Sequence, residues 1–572
     1  MKIQSITLEN FRSVQSTVTI PLRPITLLFG PNSAGKSSIL QSLLTFREVL
    51  KNRNANPHFV YGGGKHIDLG GFEALVNGHD LDKDLKIKIE FTIDDDGITD
   101  GSTLSRFIEQ SGFWRLQDFG KVENGYVQII LSYDQKIKAP YVSEYEVGLN
   151  GERFGSIKKE YFEDRDCLSL DFDHPLLKKL DTDYPDGNLF TEIYKPLCSR
   201  LLELSQNRQN GIENVSPDGE GEASVIPKWG EELNLDYGLN SGDYVSLVQR
   251  RMPIHGLDET SEQITGLDFD GFIVGHEYFL FLQPVTEAFV ILGGMALNYV
   301  NEAIYLGPIR AIPERHYSSP EHSHPDRWAD GLAAWDSLCL FHKERGGKRK
   351  HLINKISDQL SSPEMLDLGY SLEILESREL PDLKIIEGDL AILAIDDEIS
   401  TGPIVSRIEQ SLKKLPISLK VQLKDEKRGI SVHPDDIGVG VSQVIPVVVG
   451  AMDPSHKMFF IEQPELHIHP RVQCALGDLF IEQINASEEK LFLLETHSEH
   501  LILRLLRRIR ETAENDGTLK ETRKLAPEKL AIIYIDSDEN GMAVTEIGVD
   551  EDGEFTGRWP DGFFGERSSE LM

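Results

Sequence analysis

Residues 25–38 read Ile25-Thr-Leu-Leu-Phe29-Gly30-Pro-Asn32-Ser33-Ala34-Gly35-Lys36-Ser37-Ser38, and their order decides the fold. The first five form a short continuous apolar run, as expected of a strand buried on both faces. Residues 30–37 fit the pattern GxxxxGK[ST]. Residues 38–50 (SILQSLLTFREVL) then carry apolar side chains at helical spacing. A strand, a glycine loop and a helix in that order make a phosphate cradle rather than an ordinary glycine turn. Glycines let backbone N–H groups curl around phosphate oxygens, and the helix N-terminus adds positive potential. Asn32, Ser33, Ala34, Gly35, Lys36, Ser37 and Ser38 are therefore the expected nucleotide-binding residues. Lys36 is expected to reach the β- and γ-phosphates and the Ser37 hydroxyl to ligate Mg²⁺, so ATP and Mg²⁺ are implied.

Before this stretch, residues 2–8 alternate and 17–20 are β-branched, so two strands precede the loop. From about 84 to 160 the pattern has period two, and an antiparallel β subdomain is expected. Residues 205–245 are polar and rich in Asn, Asp, Glu and Gly, which predicts a long loop or insertion. A helix is expected at about 278–303, then the segment 304–310 (IYLGPIR), then helices between about 328 and 360. Residues 417–424 and 429–433 read as a hairpin. A loop with Gly438 and Gly440 precedes the apolar run 444–452. Strand 458–462, a helix near 471–485, strand 491–495, a basic helix at 499–512 and a strand–turn–strand at 530–550 complete the reading.

The chain has 572 residues, room for about three to four domain-sized units. It carries 59 Lys and Arg against 94 Asp and Glu, a formal charge of −35. Such a surface repels polyphosphate backbones, so indiscriminate nucleic-acid binding is disfavoured and protein partners are expected, a local basic groove being left open. A mean hydropathy of −0.29 without any apolar run near 18 residues gives no membrane span. The first residues show no secretory h-region. Four scattered cysteines without a CxxC pair suggest neither a disulfide framework nor a thiolate zinc site. A cytoplasmic location is the expectation.

A second constellation lies far along the chain. Strand 458–462 ends in Glu462-Gln463-Pro464-Glu465, acidic groups at the C-terminal edge of a buried strand, where open α/β sheets place ligand-contacting residues. One carboxylate there suits Mg²⁺ and another suits the attacking water, against the plainer reading of a helix N-cap cluster. Strand 491–495 ends in Thr496-His497-Ser498, which puts an imidazole on the same edge.

With these motifs, the sequence resembles ABC/SMC-like ATPases of the RecF/Rad50/OLD-like group. More closely, it resembles bacterial AAA-class ATPases whose C-terminus carries a short domain of unknown function. The resemblance rests on ITLENFRS, IDLGGFEALVNGHD (67–80), YLGPIRAIPERHY (305–317), DIGVGVSQVIPVVV (436–449), FIEQPELHIHP (460–470), LLETHSEHL (493–501) and GRWPDGFF (557–564). It implies an α/β fold: an ABC-type ATPase head (a P-loop NTPase) with an antiparallel β subdomain and a large α/β insertion. The domains would be an N-terminal ATPase lobe at 1–90, the β subdomain and insertion at 91–300, a head-associated strand and helical region at 301–415, a C-terminal ATPase lobe at 416–548 and a tail at 549–572.

The resemblance also assigns residues. Asp436, Gly438, Gly440, Ser442 and Gln443 look like the signature loop that caps the γ-phosphate of ATP on an opposite protomer. Glu462 takes the place of the Walker B acid and, with Ser37, of the metal ligands. His497 resembles the switch histidine, and Arg12 is similar to a residue that approaches the phosphates. Most relatives follow the Walker B acid with a catalytic glutamate, and here Gln463 stands in that position. An amide positions water but takes no proton at neutral pH. Either Glu465 serves as the base, the expectation favoured here, or hydrolysis is slow and the protein acts as an ATP-gated clamp.

Other signals read more plainly. Asp536 and Asp538 fit a polar turn better than a Toprim nuclease. His467 and His469 fit an interface loop better than a metal site. The arginines at 504, 507, 508 and 510, and the basic run at 343–350, default to acid-paired or solvated faces. The implied assembly is a homodimer with two ATPs at its interface, or a higher oligomer. The implied function is a nucleotide-driven dimerisation switch, the ATPase subunit of a bacterial anti-phage defence system that controls a separately encoded effector. The rivals are a DNA-repair clamp and a non-hydrolysing scaffold.

Overall fold

The computed structural model describes residues 2–52, 69–93, 122–160, 165–171, 173–175, 288–315, 317, 325–343, 349–378, 387, 401–415, 417–515, 517–538 and 541–557. The chain forms two compact units. One comprises residues 1–23, 30–302 and 533–546; the other comprises 24–29, 303–532 and 547–572.

The first unit is built on a seven-stranded antiparallel sheet in the order β2-β1-β4-β5-β6-β7-β8. Its strands are β1 (Lys2–Glu9), β2 (Val18–Pro21), β4 (Leu85–Thr92), β5 (Asn124–Asp134), β6 (Ala139–Leu149), β7 (Glu152–Glu160) and β8 (Arg165–Leu170). Alternation makes the sheet one-faced: Leu85, Ile87, Ile89 and Phe91 of β4 are buried, and the residues between them are not. β4 pairs with β1 on one side and β5 on the other, so one sheet joins the N-terminal strands to the period-two region. Helix α1 (Lys36–Asn52) and the short α2 (Gly71–Leu75) belong to this unit. So does α3, residues 288–301, whose Phe289 carbonyl accepts the buried Tyr145 hydroxyl at 2.8 Å. The expected loop at 205–245 lies outside the described residues.

The second unit holds the parallel part of a sheet, ordered β3-β14-β13-β9: β3 (Ile25–Phe29), β14 (Leu491–Glu495), β13 (Met458–Glu462) and β9 (Ile304–Leu306). Every residue of β3, β13 and β14 is buried, which explains their unbroken apolar sequences. The register pairs Glu462 with Glu495 and Glu495 with Leu28, so three C-terminal strand ends lie level. The expected hairpin is β11 (Ser418–Asp425) with β12 (Ile430–Val432), extended by an additional strand, β10 (Tyr370–Ser377). Helices α4 (Leu332–Lys343), α5 (Lys350–Ser361) and α6 (Thr401–Lys413) come from the middle region.

Three helices frame the acidic strand ends: α7 (Val439–Met452), α8 (Pro470–Ala486) and α9 (Glu499–Glu514). One expectation is corrected here. The segment with Gly438 and Gly440 is not a loop, because α7 starts at Val439 and takes Gly440, Ser442 and Gln443 into its first turns. Asp478 on α8 accepts from Arg504 at 2.6 Å and from Arg508 at 2.7 and 2.8 Å, both on α9. Arg507 pairs with Glu511 and Arg510 with Glu554, so the arginine stripe is acid-paired. The last strands are β15 (Leu530–Asp538) and β16 (Gly541–Ile547). The GRWPDGFF motif falls almost wholly outside the described residues.

Candidate functional site

The phosphate loop of the first unit begins one residue after β3 ends at Phe29. Ser33 and Gly35 adopt left-handed backbone, with φ of 67° and 102°, which turns consecutive peptides inward. The Lys36 ammonium is buried and donates to the carbonyls of Gly30 at 3.1 Å and Pro31 at 2.8 Å, bracing the loop from inside. Ser37 and Ser38 open α1, whose first turn carries no acidic residue to oppose an anion.

Two glycines of the loop are sterically required. A Cβ on Gly30 would lie 1.9 Å from the Ile535 carbonyl oxygen, and one on Gly35 would lie 2.0 Å from Ser13 Oγ and 2.6 Å from Met542 Cε. Ser13 Oγ also lies 3.4 Å from Ser38 Oγ. The NFRS segment thus sits against the loop. Arg12, in left-handed backbone at φ 50°, donates from Nη2 to the Leu69 carbonyl at 3.1 Å. Asn32 and Ser33 are exposed and Ala34 is buried. A bare-backbone cradle, an internal lysine and an acid-free helix start together fit the triphosphate of ATP, and the Ser37 hydroxyl fits Mg²⁺.

In the second unit, Glu462 is nearly buried and accepts the Tyr305 hydroxyl at 2.7 Å. Gln463 turns the chain with φ 45°, and its N–H donates to the Glu495 carbonyl at 2.7 Å. That turn delivers Glu465 to the end of β14. There Glu465 Oε1 accepts the His497 backbone N–H at 2.7 Å, and Oε2 accepts the Thr496 hydroxyl at 2.8 Å. Burial pushes the Glu465 carboxyl above the ordinary carboxylate range, with these hydrogen bonds and Arg310 opposing. A carboxylate so placed is more basic than a solvated one, which suits a proton acceptor.

The proposed signature residues are engaged internally. The Ser442 hydroxyl is buried and donates to the Pro434 carbonyl at 2.7 Å. The Gln443 amide takes the Arg310 backbone N–H at 2.9 Å and donates to the Arg310 carbonyl. A Cβ on Gly440 would lie 2.2 Å from the His467 carbonyl oxygen, so the first turn of α7 packs on the segment after Glu465. His469 caps α8 by accepting from the Arg471 N–H. Among the described residues, no cluster of three or more His, Cys, Asp or Glu could hold a metal ion.

Within each unit the structure gathers expected residues: Lys36, Ser37 and Ser38 with the Arg12–Ser13 segment in one, and Gln443, Glu462, Gln463, Glu465 and His497 in the other. Three contributors, Tyr305, Arg310 and Thr496, carry no signal of their own in the sequence. Tyr305 and Arg310 stand in the quoted YLGPIR segment and Thr496 beside His497, but nothing in one sequence says which buried polar side chain reaches which carboxylate.

A strand–phosphate loop–helix, a parallel sheet with acidic strand ends and an antiparallel β subdomain make up an α/β fold of the P-loop kind. Residues 1–186 match the family model described as AAA ATPase domain, and residues 525–572 match a protein of unknown function, DUF3696. A curated relative, the DNA double-strand break repair Rad50 ATPase of Pyrococcus abyssi, is 26% identical over 246 residues, covering 40% of this chain and 26% of its own length. The chain thus spans about a quarter of that relative. Among solved structures, the Smc head domain from Pyrococcus furiosus, with an extended coiled coil and bound to the C-terminal domain of ScpA, aligns with TM-score 0.36 and 12% identity over 96% of both chains. The SMC head domain from Thermotoga maritima aligns at 0.33 and 8%, over 96% of this chain and all of that one (100%).

Proposed function

We propose that the chain binds and hydrolyses Mg-ATP and uses the nucleotide to switch its own dimerisation. The observation that carries this reading is the phosphate loop, with Lys36 braced inside it and glycines where a side chain cannot fit. Lys36 neutralises the phosphates and Ser37 offers a metal ligand; bound Mg²⁺ would spread the charge that develops on the transferred phosphoryl group. Glu462 is the further carboxylate assigned to the metal. Glu465 takes the proton of the attacking water, and Gln463, an amide, orients without accepting it. His497 is proposed as a γ-phosphate sensor, and the start of α7 at Gly440, backed by the buried Ser442 and Gln443, as the surface offered to nucleotide on a second copy, giving an isologous dimer. Arg12 is assigned to the phosphate side as a positioning group.

The biological setting proposed is the ATPase subunit of a bacterial anti-phage system, controlling a separately encoded effector from the cytoplasm. Its support is the motif resemblance alone. Among the described residues no helix is long and apolar enough to cross a membrane. The relative's role in DNA double-strand break repair favours a second reading, a DNA-binding clamp, against which the formal charge of −35 weighs.

The test is Mg-ATP turnover and nucleotide-dependent mass in solution, for the wild type and Lys36→Ala. Turnover abolished by the substitution, with dimer formed only when ATP is present, is the expected result. Dimerisation without phosphate release would replace hydrolysis by a scaffold role. Duplex-stimulated turnover with a steep salt slope would favour the clamp.

A further inference from the structure

Arg310 is a charged side chain where the fold could have used an apolar one. It is 1% exposed, and its Nε atom has no hydrogen-bond partner. Its hydrogen bonds go to neutral carbonyls rather than to a carboxylate: Nη2 donates to the Glu462 oxygen at 2.6 Å and the Gln463 oxygen at 3.4 Å, and Nη1 to the Gln443 oxygen at 3.5 Å. Burying a guanidinium with one N–H unpaired and no carboxylate bonded to it is costly. Burial lowers its pKa to about 10, while the charges of Glu465 and Glu462 hold it up.

The geometry shows the need. The Gln443 side chain grips the backbone of residue 310 on both sides, through its N–H and its carbonyl. The side chain of the same residue grips the end of β13 at Glu462 and Gln463. One residue therefore ties α7 to the turn that carries Glu462 and Glu465. Its neighbour Ile309 is 80% exposed, so the tie runs from the surface to the core within one residue. The carbonyls it takes lie at the end of the strand, where the parallel ladder stops.

We propose that Arg310 is a positioning residue that couples the first turns of α7 to the carboxylates of the 462–465 turn. Docking against Gly440–Gln443 then sets where Glu462 and Glu465 stand. This rests on the ATPase reading above. A continuous chain of hydrogen bonds between buried elements can carry such coupling without any contact to nucleotide. Arg310 touches neither phosphate nor water in this scheme; it acts through the backbone it holds.

The test compares wild type, Lys36→Ala, Arg310→Lys, Arg310→Ala, Gln443→Ala and the Arg310→Ala/Gln443→Ala double variant. Wild-type turnover that Lys36→Ala abolishes upholds the ATPase reading independently. Coupling predicts that kcat falls about 100-fold in Arg310→Ala, as expected of misplaced groups, while nucleotide Kd stays within about threefold. Arg310→Lys should recover part of the loss. The double variant should fall no further than the worse single one, because both remove the same link. Losses that multiply, or a Kd that rises with kcat unchanged, would overturn the proposal. Should the wild type lack turnover, the link is read by hydrogen exchange: Gln443→Ala should speed exchange at 460–468, and unchanged exchange there sinks the idea. If Arg310→Ala does not fold, Arg310→Lys and Gln443→Ala carry the same comparison.

Discussion

The carboxylate of Glu465 accepts the backbone N–H of His497 at 2.7 Å, joining the turn after β13 to the loop after β14. The pair places a base candidate and a sensor candidate just past the ends of adjoining strands, and it holds Glu465 where burial raises its pKa.

From this follows a pH signature. Replacing Glu465 by Gln should lower turnover by roughly 100-fold or more, the usual scale for a lost general base. Wild-type kcat should fall on acidification with a midpoint above 4.5, the ordinary glutamate value, because Glu465 works only when ionised. Stability moves the other way. A raised folded pKa means the native state holds this proton more tightly than the unfolded chain does. Its contribution is full below the unfolded value and is lost as pH rises through the folded one. Glu465→Gln should flatten that slope in urea melts at several pH values. A kcat profile unchanged by the substitution would remove Glu465 from the chemistry.

The phosphate loop predicts an order among glycine variants. At Gly30 a new Cβ meets a backbone carbonyl at 1.9 Å; at Gly35 its closest neighbours are side-chain atoms of Ser13 and Met542. Gly30→Ala should therefore cost more stability than Gly35→Ala, both by more than about 1 kcal/mol, since each also sits at positive φ. Thermal melts of the two variants, with and without ATP, check the order. Equal melting temperatures would contradict it.

Asp478 anchors α8 to α9 through the half-buried Arg504 and the buried Arg508. Its carboxylate takes Arg504 and Arg508 and lies 3.7 Å from Arg523. Asp478→Ala removes the acidic partner of Arg504 but leaves Arg508 with Glu511 and Arg523 with Glu482, so it should destabilise the fold by about 1–3 kcal/mol in equilibrium denaturation, the scale of losing hydrogen bonds to charged groups. A loss well below about 1 kcal/mol would show that Glu511 and Glu482 alone suffice for these arginines.

Gly440 tests the surface proposed for the second copy. Its Cβ position lies 2.2 Å from the His467 carbonyl, so Gly440→Ala must push α7 away from the segment after Glu465. ATP binding should persist, because the phosphate loop is untouched, while ATP-dependent dimerisation and turnover should fall together by at least about tenfold. Ultracentrifugation with labelled nucleotide separates the two. Lost ATP binding with dimerisation intact would contradict the assignment.

Much of this was legible in residue order. Apolar runs at 25–29, 458–462 and 491–495 signal strands buried on both faces, and the glycine loop before a helix signals phosphate binding, because both depend on neighbours in sequence. The alternation of β4 likewise announces an antiparallel sheet. Less legible were the start of α7, where the glycines suggest a loop but packing against His467 supports a helix, and strand β10, whose partner β11 begins about forty residues later.

Side-chain partnerships belong to the tertiary structure alone. Residue order shows an arginine in YLGPIR, a threonine before His497 and a glutamate after Gln463. It does not show that Arg310 reaches the carbonyl of Glu462 across 152 positions, or that Thr496 and His497 close on Glu465. Those contacts follow from parallel strands brought into register by hydrophobic burial, which matches strand ends without regard to their distance along the chain. Local periodicity encodes which segments are strands and helices; only packing decides which buried charge meets which carbonyl.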